Sequence, residues 1–197
     1  MKDVFSVCRK YNLRLNPEKC KFLSEKVKFL GRIIDNQGYS ADPENIKAVQ
    51  ELTPPTNKKQ LQQAVGRFCW LREFISTNVG EEVAKNCFSN LMIELTKLNK
   101  KGVNFHWPDS AQRAFDTAKN RLSSKKCISF ADFRQPFTLV TDASEVALGA
   151  VLLQNIDNKI KIIACISKTL NETERRWSAT ERECYAIVYG IEKLKYF

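Results

Sequence analysis

The chain has 197 residues, 43% hydrophobic and 27% charged, with 32 Lys and Arg against 22 Asp and Glu for a net charge of +10. That length suits one large domain or two small ones, and the balance is that of an ordinary soluble globular protein. No stretch approaches the roughly 18 uncharged apolar residues of a membrane helix, and Lys2, Asp3, Arg9 and Lys10 break any secretory pattern near the start.

Val4, Val7, Cys8 and Tyr11 recur at helical spacing and predict a helix over 4–15, interrupted by Asn16-Pro17. Residues 20–22 and 27–34 alternate like two strands joined through Ser24-Glu25-Lys26, and Asn36-Gln37-Gly38 marks the next turn. Asp42-Pro43-Glu44 is a helix start: a capping carboxylate, a proline pre-set for the first turn, and an acid at the positive end of the dipole. Ile46 and Val49 follow, and Pro54-Pro55 stops that helix. Asn57 with Gln60 predicts a capping box for a longer helix carrying Leu61, Val65, Phe68 and Arg72. Another helix is expected over 82–97, with Val83, Cys87, Leu91 and Leu95 in line. After Phe105-His106-Trp107-Pro108 an amphipathic helix carries Ala111, Ala114, Phe115, Ala118 and Leu122. The pattern then changes. Residues 137–142, 148–154 and 160–167 read as three strands, and 179–195 as a helix.

Charge is uneven. Residues 1–32 carry 9 basic and 3 acidic side chains and 97–126 carry 8 and 2, a net of +6 each, whereas 33–96 carry 6 and 8 and 127–197 carry 9 and 9. Two basic blocks suit either a polyanion or ordinary solvated helix faces. In the first block Lys19, Lys21, Lys26, Lys28 and Arg32 are candidates to track phosphates, and Gly31 to admit a close backbone approach. The seven cysteines, odd in number and without a C-x-x-C pair, point to free thiols in an intracellular, reducing compartment. His106, the only histidine, is expected to pack rather than to act as acid or base, because a base needs a positioned partner. Trp70, Trp107 and Trp177 are likewise expected to fill cores.

Several phrases occur together and in order. They are Asn16-Pro17-Glu18-Lys19-Cys20-Lys21-Phe22 with Val27-Lys28-Phe29-Leu30-Gly31, then Gly38 through Asp42-Pro43-Glu44-Asn45-Ile46, then Pro54-Pro55 to Leu61 and Arg72-Glu73-Phe74-Ile75. Phe105-His106-Trp107 with Ala114-Phe115 comes next, followed by Thr141-Asp142-Ala143-Ser144 and Gly149-Ala150-Val151-Leu152-Leu153-Gln154. Ser167-Lys168-Thr169-Leu170 and Thr180-Glu181-Arg182-Glu183 close the series. The set spans nearly the whole chain and resembles the back part of a Gypsy-type LTR-retrotransposon reverse transcriptase within a Pol polyprotein. The resemblance implies an α+β or α/β chain in three parts. Residues 1–40 end the polymerase palm with a primer-grip-like hairpin, 41–125 form a helical thumb and linker, and 126–197 form a truncated ribonuclease H-like domain of three strands and a first helix. It departs from the family at Ala64-Val65-Gly66 and Trp70-Leu71-Arg72, where Phe-Leu-Gly and Tyr-Tyr-Arg are usual. The aromatic-x-Asp-Asp signature of the polymerase is absent, as Asp3 is the only acid before Glu18.

By the same resemblance Asp142 is the first ligand of a two-magnesium nuclease site and a glutamate opening the following helix is the second. Read from residues alone, Asp142 is better explained as a strand-end turn residue. Cys184, Ile187, Ile191 and Leu194 predict the apolar face of that helix. Glu183 lies at the edge of this face, whereas Glu181 lies about 160° away and belongs to a Ser178-Ala179-Thr180-Glu181 capping box. Glu183 is therefore the expected ligand. Magnesium needs several convergent oxygens, so two carboxylates predict a weak site and no cleavage by the chain alone. The implied partners are an RNA–DNA hybrid or primer–template duplex and the rest of the polyprotein; no membrane is implied. The alternatives are a non-catalytic nucleic-acid-binding module and a transposon relic.

Overall fold

The computed structural model describes residues 2–75, 87–122 and 127–197. Helix α1 (Lys2–Lys10) buries none of its side chains. Residues 20–22 lie outside any strand: Asn16 caps a 3-10 turn at Pro17–Lys19, Cys20 is extended, and Leu23 is left-handed with φ of 54°. The meander begins later, as β1 (Val27–Phe29), β2 (Arg32–Asp35) and β3 (Gly38–Ala41), all antiparallel. Its first reversal is at Leu30-Gly31 and not at residues 24–26. Both residues are left-handed, with φ of 47° and 73°, as a two-residue hairpin turn matched to strand twist requires. Leucine is not a turn residue, so local composition hid this reversal. The free edge of β3 is taken by β4 (Cys127–Ser129), so this sheet crosses the division drawn at residue 126.

Asp42 accepts from the Glu44 amide at 3.1 Å and opens α2 (Pro43–Gln50). Asn57 accepts from the Gln60 amide at 2.9 Å and opens α3 (Lys58–Trp70), while the Gln60 side chain turns back to the amide and hydroxyl of Thr56. A short α4 (Arg72–Ile75) follows. Of the helix expected over 82–97, residues 82–86 lie outside the described residues, and the remainder is two helices, α5 (Phe88–Leu91) and α6 (Ile93–Leu98). Phe88, Met92, Ile93 and Leu95 are all buried. One straight helix would turn Ile93 about 140° from Phe88, and the break at Met92 lets both face the core. Helix α7 (Asp109–Arg121) adds Ala111, Ala114, Phe115 and Ala118. Phe115 meets Phe68 edge-on, with ring centroids 5.6 Å apart, at the centre of the main cluster.

The second sheet runs β5 (Thr138–Ala143), β6 (Ala147–Ile156) and β7 (Lys159–Thr169), antiparallel and in that order. Every residue of β6 from Ala147 to Gln154 is buried. Gln154 is buried because its amide is fully used: it accepts from Asp132 N at 3.0 Å and donates to the Asp132 and Gln135 carbonyls at 2.8 and 3.1 Å. One face packs on α8 (Ala179–Leu194). The other, with Val140, Val151, Leu153, Ile162 and Cys165, turns toward the main cluster, to which Ile162 also belongs.

Helix α8 docks on a face rotated from the expected one, and of Cys184, Ile187, Ile191 and Leu194 only Leu194 is buried. Ala186, Gly190 and Leu194 are buried, while Ile187 and Ile191 are 48% and 57% exposed and Cys184 is exposed. The reason is distance. A Cβ added at Gly190 would lie 3.1 Å from Leu139 Cδ2, 3.3 Å from Ala150 Cβ and 3.4 Å from Thr141 Cγ2, so the helix sits too close to the sheet for a large side chain there. Gly190→Leu is expected to cost about 1–3 kcal/mol in urea denaturation, and Ile187→Ser less than about 0.5 kcal/mol. The reverse ranking would put the docking face along Ile187 and Ile191.

Candidate nucleic-acid interface and carboxylate site

The hairpin is fastened to the helical segment by one polar cluster. Arg32 Nη2 lies 3.4 Å from the Glu73 carboxylate, the Tyr39 hydroxyl donates to Glu73 Oε2 at 3.1 Å, and the Arg32 guanidinium lies 4.9 Å from the centre of the Tyr39 ring. Burial, then the neighbouring Glu73 charge, pushes the Tyr39 phenol up to about 12. Lys28 pairs with Asp42 at 2.6 Å and also with Glu44. Hydrogen bonds to these two carboxylates raise its pKa, and the same contact lowers that of Asp42. Lys26 lies 3.9 Å from Asp35. Of the five basic candidates in the first block, three thus face carboxylates, while Lys19 and Lys21 are exposed.

Gly31 sits where the hairpin meets α2 and α3. Its carbonyl accepts from Asn45 Nδ2 and from the Asp42 amide, each at 3.2 Å. A Cβ on Gly31 would meet Asn45 Nδ2 at 2.8 Å and Trp70 Nε1 at 3.4 Å. Beside this junction lies a groove of about 570 Å³ lined by Asn45, Gln63, Gly66, Arg67 and Trp70, among others. Nothing lies within 4 Å of a Cβ placed on Gly66, so the groove floor is open. Trp70 is 56% exposed and lines this wall, contrary to the core position expected for it. The available signal is spacing: Gln63, Gly66, Arg67 and Trp70 share one helical face with no other apolar side chain on it.

Trp107 does pack, edge-on to Phe115 at 5.9 Å, with its indole N–H on Gln112 Oε1 at 2.7 Å. His106 between it and Phe105 is exposed, so its two neighbours do the packing expected of it. Trp177 is half-buried against Tyr185, 5.2 Å between ring centres. Among the described residues no disulfide forms, and Cys87 and Cys165 are buried.

Asp142 is the penultimate residue of β5, half-buried, and opposite Gly149, which is in turn opposite Ser167. Directly paired residues share a face of the sheet. Ser167 Oγ lies 2.9 Å from Ser89 Oγ of α5, so the row containing Asp142 faces α5. Burial and then the Asp142 charge push the pKa of Cys87, the α5 cap, upward. Glu183 is exposed, in the first turns of α8 on the other side of the sheet. Ala186 packs with Leu148 and Ala143, Gly190 sits over Thr141, and Leu194 packs with Leu152 and Leu139. Helix α8 therefore runs antiparallel to β5 and starts beyond its end. Glu183 is within about 20° of Gly190 and Leu194 on the helical wheel, hence on the sheet-facing side. Glu181 receives the Ser178 amide at 2.7 Å in a complete capping box, which lowers its pKa. The two candidate carboxylates share an end of the sheet but leave from opposite faces. Among the described residues no three His, Cys, Asp or Glu side chains are grouped to hold a metal, and no helix is long and apolar enough to cross a membrane.

Residues 107–197 match the family described as an RNase H-like domain found in reverse transcriptase. The chain is 35% identical over 195 residues to the retrovirus-related Pol polyprotein from transposon opus of Drosophila melanogaster, covering 98% of itself and 19% of that polyprotein. It is 31% identical over 198 residues to the Tf2-3 transposon polyprotein of Schizosaccharomyces pombe, covering 100% of itself and 14% of the relative. The chain thus spans about a fifth or less of the length of these relatives. Among solved structures, a foamy viral protease-reverse transcriptase in complex with double-stranded DNA superposes with a TM-score of 0.75 at 22% identity, over 96% of this chain and 32% of that one. A second, in complex with an RNA/DNA hybrid, gives 0.71 at 20% identity, over 96% of this chain and 25% of that one. The fold is α+β and RNase H-like in its second sheet.

Tyr39 makes the hairpin junction sensitive to alkali. Its folded pKa of about 12 exceeds the ordinary 10.0, so its contribution to stability is whole below about pH 10 and is lost as pH rises toward 12. Phenolate absorbance should show one tyrosine ionising near 12, absent in Tyr39→Phe. A titration of Tyr39→Phe indistinguishable from that of the parent would show that the phenol is not held by Glu73.

Proposed function

Because residues 107–197 match the RNase H-like domain of reverse transcriptases, we propose that the chain is a piece of a Gypsy-type LTR-retrotransposon Pol polyprotein that holds an RNA–DNA hybrid or primer–template duplex and carries part of a ribonuclease H metal site. In this reading residues 1–40 are the end of the palm, 41–125 the thumb and linker, and 126–197 the ribonuclease H-like domain. The observation that carries it is the junction of Gly31 with Asn45 and Trp70, which makes the hairpin turn and α3 one open wall. A duplex laid along that wall would meet Gln63, Arg67 and the Trp70 indole, with Lys19 and Lys21 exposed on the segment entering the hairpin. Such contacts position nucleic acid without reading its sequence.

Asp142 and Glu183 are the proposed ligands of magnesium, which prefers carboxylate oxygen and in a two-ion site activates the attacking water and stabilises the leaving oxygen. Two carboxylates leave most of the coordination to other groups, so the chain alone is expected not to cleave. A non-catalytic binding module is the second reading. It is favoured by one observation: the row containing Asp142 faces α5 through the Ser89–Ser167 contact.

Binding to an RNA–DNA duplex should weaken with salt at a log–log slope near −0.9 per phosphate, for about four to six contacts. Lys21→Ala should reduce that slope by about one contact, whereas Lys28→Ala, already paired with Asp42 and Glu44, should change it little. Binding without salt dependence would sink the duplex reading. In the full-length polyprotein Glu183→Gln should abolish RNA cleavage, while Glu181→Gln should cost about 1 kcal/mol of helix capping and retain it. Full cleavage by Glu183→Gln would leave the non-catalytic module.

A further inference from the structure

Close packing fixes α8 from Ala186 onward, but its first turns, which carry Glu183, run beyond the end of β5 and are largely exposed. Gly190 lies against Leu139, Thr141 and Ala150 and Leu194 against Leu139 and Leu152, whereas N-terminal to Ala186 no buried side chain of α8 holds the helix to the sheet. A polar contact at one end of the helix supplies what packing does not. Lys168, next to last in β7, donates to the Tyr185 hydroxyl of α8 and to Glu174 Oε1, each at 2.6 Å. The Lys168 ammonium also lies 4.6 Å from the centre of the Tyr185 ring.

Glu174, only 6% exposed, is held on every side. Its Oε2 accepts from the Asn171 amide at 2.8 Å, and its own amide donates to Asn171 Oδ1 at 2.9 Å. Burial disfavours the charge on Lys168, yet the bonds to Glu174 and Tyr185 raise its pKa; the same ion pair lowers that of Glu174. The pair therefore stays charged across the neutral range and the contact persists. Arg175 Nε donates to the Leu170 carbonyl at 2.9 Å and Arg182 Nη1 to the Arg175 carbonyl at 3.3 Å, so the loop and the helix start are tied to the same strand end.

We propose that Lys168, braced by Glu174, is a positioning residue that grips the Tyr185 hydroxyl and so fixes the first turns of α8, directing Glu183 toward the Asp142 end of the sheet. Glu183 is two residues before Tyr185, so a shift of the Tyr185 hydroxyl is transmitted directly to the direction in which the carboxylate leaves the helix. Lys168 touches neither metal nor substrate in this role. The proposal rests on the assignment of Glu183 as a ligand, and its test separates the two.

The full-length polyprotein is compared with its Tyr185→Phe, Lys168→Met, Lys168→Arg and Glu183→Gln variants in RNA cleavage of a hybrid across a magnesium series. Loss of an outer partner of a metal ligand typically lowers metal affinity or activity by roughly 10–100-fold. Tyr185→Phe and Lys168→Met should need that much more magnesium for half-maximal cleavage, with KM for the hybrid unchanged and a melting temperature close to the parent's for Tyr185→Phe. Lys168→Arg should restore part of the loss, and saturating magnesium should rescue Tyr185→Phe but not Glu183→Gln. Amide hydrogen exchange over 179–186 should rise in Tyr185→Phe, whether or not the protein cleaves. Unchanged magnesium dependence in Tyr185→Phe and Lys168→Met, beside an inactive Glu183→Gln, would overturn the positioning role and leave the ligand assignment standing. An active Glu183→Gln would remove both.

Discussion

The burial of β6 on both faces is the constraint from which the rest of the arrangement follows. Eight consecutive residues, Ala147 to Gln154, are withdrawn from water, and alternate side chains of a strand point in opposite directions. Each face must therefore be covered by something. Helix α8 covers one. The other is covered by elements from earlier in the chain, with Ile162 joining the main cluster and Ser167 meeting Ser89 of α5. An antiparallel sheet can leave one face to solvent; this one does not. The helical segment and the second sheet are therefore joined on this face through Ile162 and Ser167 of β7, while β4, although it follows α7 in sequence, pairs with β3.

Double burial also separates the two candidate carboxylates. Asp142 belongs to the row facing α5, and Glu183 to the helix on the opposite face. They share an end of the sheet only because α8 runs antiparallel to β5 and begins beyond its last residue. Close approach and orientation have different physical sources here. Gly190 and Ala186 allow the helix to come near, and the Lys168–Tyr185 bond ties its first turns to the end of β7. A larger residue at position 190 would hold the helix away from the sheet.

The basic block at the start of the chain shows how poorly charge count predicts free charge. Arg32, Lys28 and Lys26 each face a carboxylate, and two of these contacts help hold the hairpin against the helices. Exposed ion pairs contribute little to stability singly. Their geometric effect is larger, because Arg32, Tyr39 and Glu73 converge on one point and keep Gly31 beside Trp70. Lys19 and Lys21 remain exposed, beside a groove that presents an indole and an arginine.

Local chemistry was enough to read much of this from the chain. The caps at Asp42, Asn57 and Ser178 act within three residues, and each forms as its side chain predicts. The three strands of the second sheet and the helix after them were legible from alternation and period, since both are properties of a dozen neighbouring residues. The choice of Glu181 for the cap is of the same kind. What depended on distant partners was not legible. The turn at Leu30-Gly31 needs strand twist and a close neighbour in Asn45, and neither is encoded locally. The split of α5 from α6 follows from where the core lies relative to Ile93. Size alone points the docking face of α8 at Ile187 and Ile191, whereas the sheet's proximity selects Gly190 and Ala186, beside Leu194. By itself the sequence determined which segments become helix or strand and which side chains cap them. The tertiary structure alone decided which face each element presents, because facing is set by how near a partner can come, and that distance belongs to two segments at once.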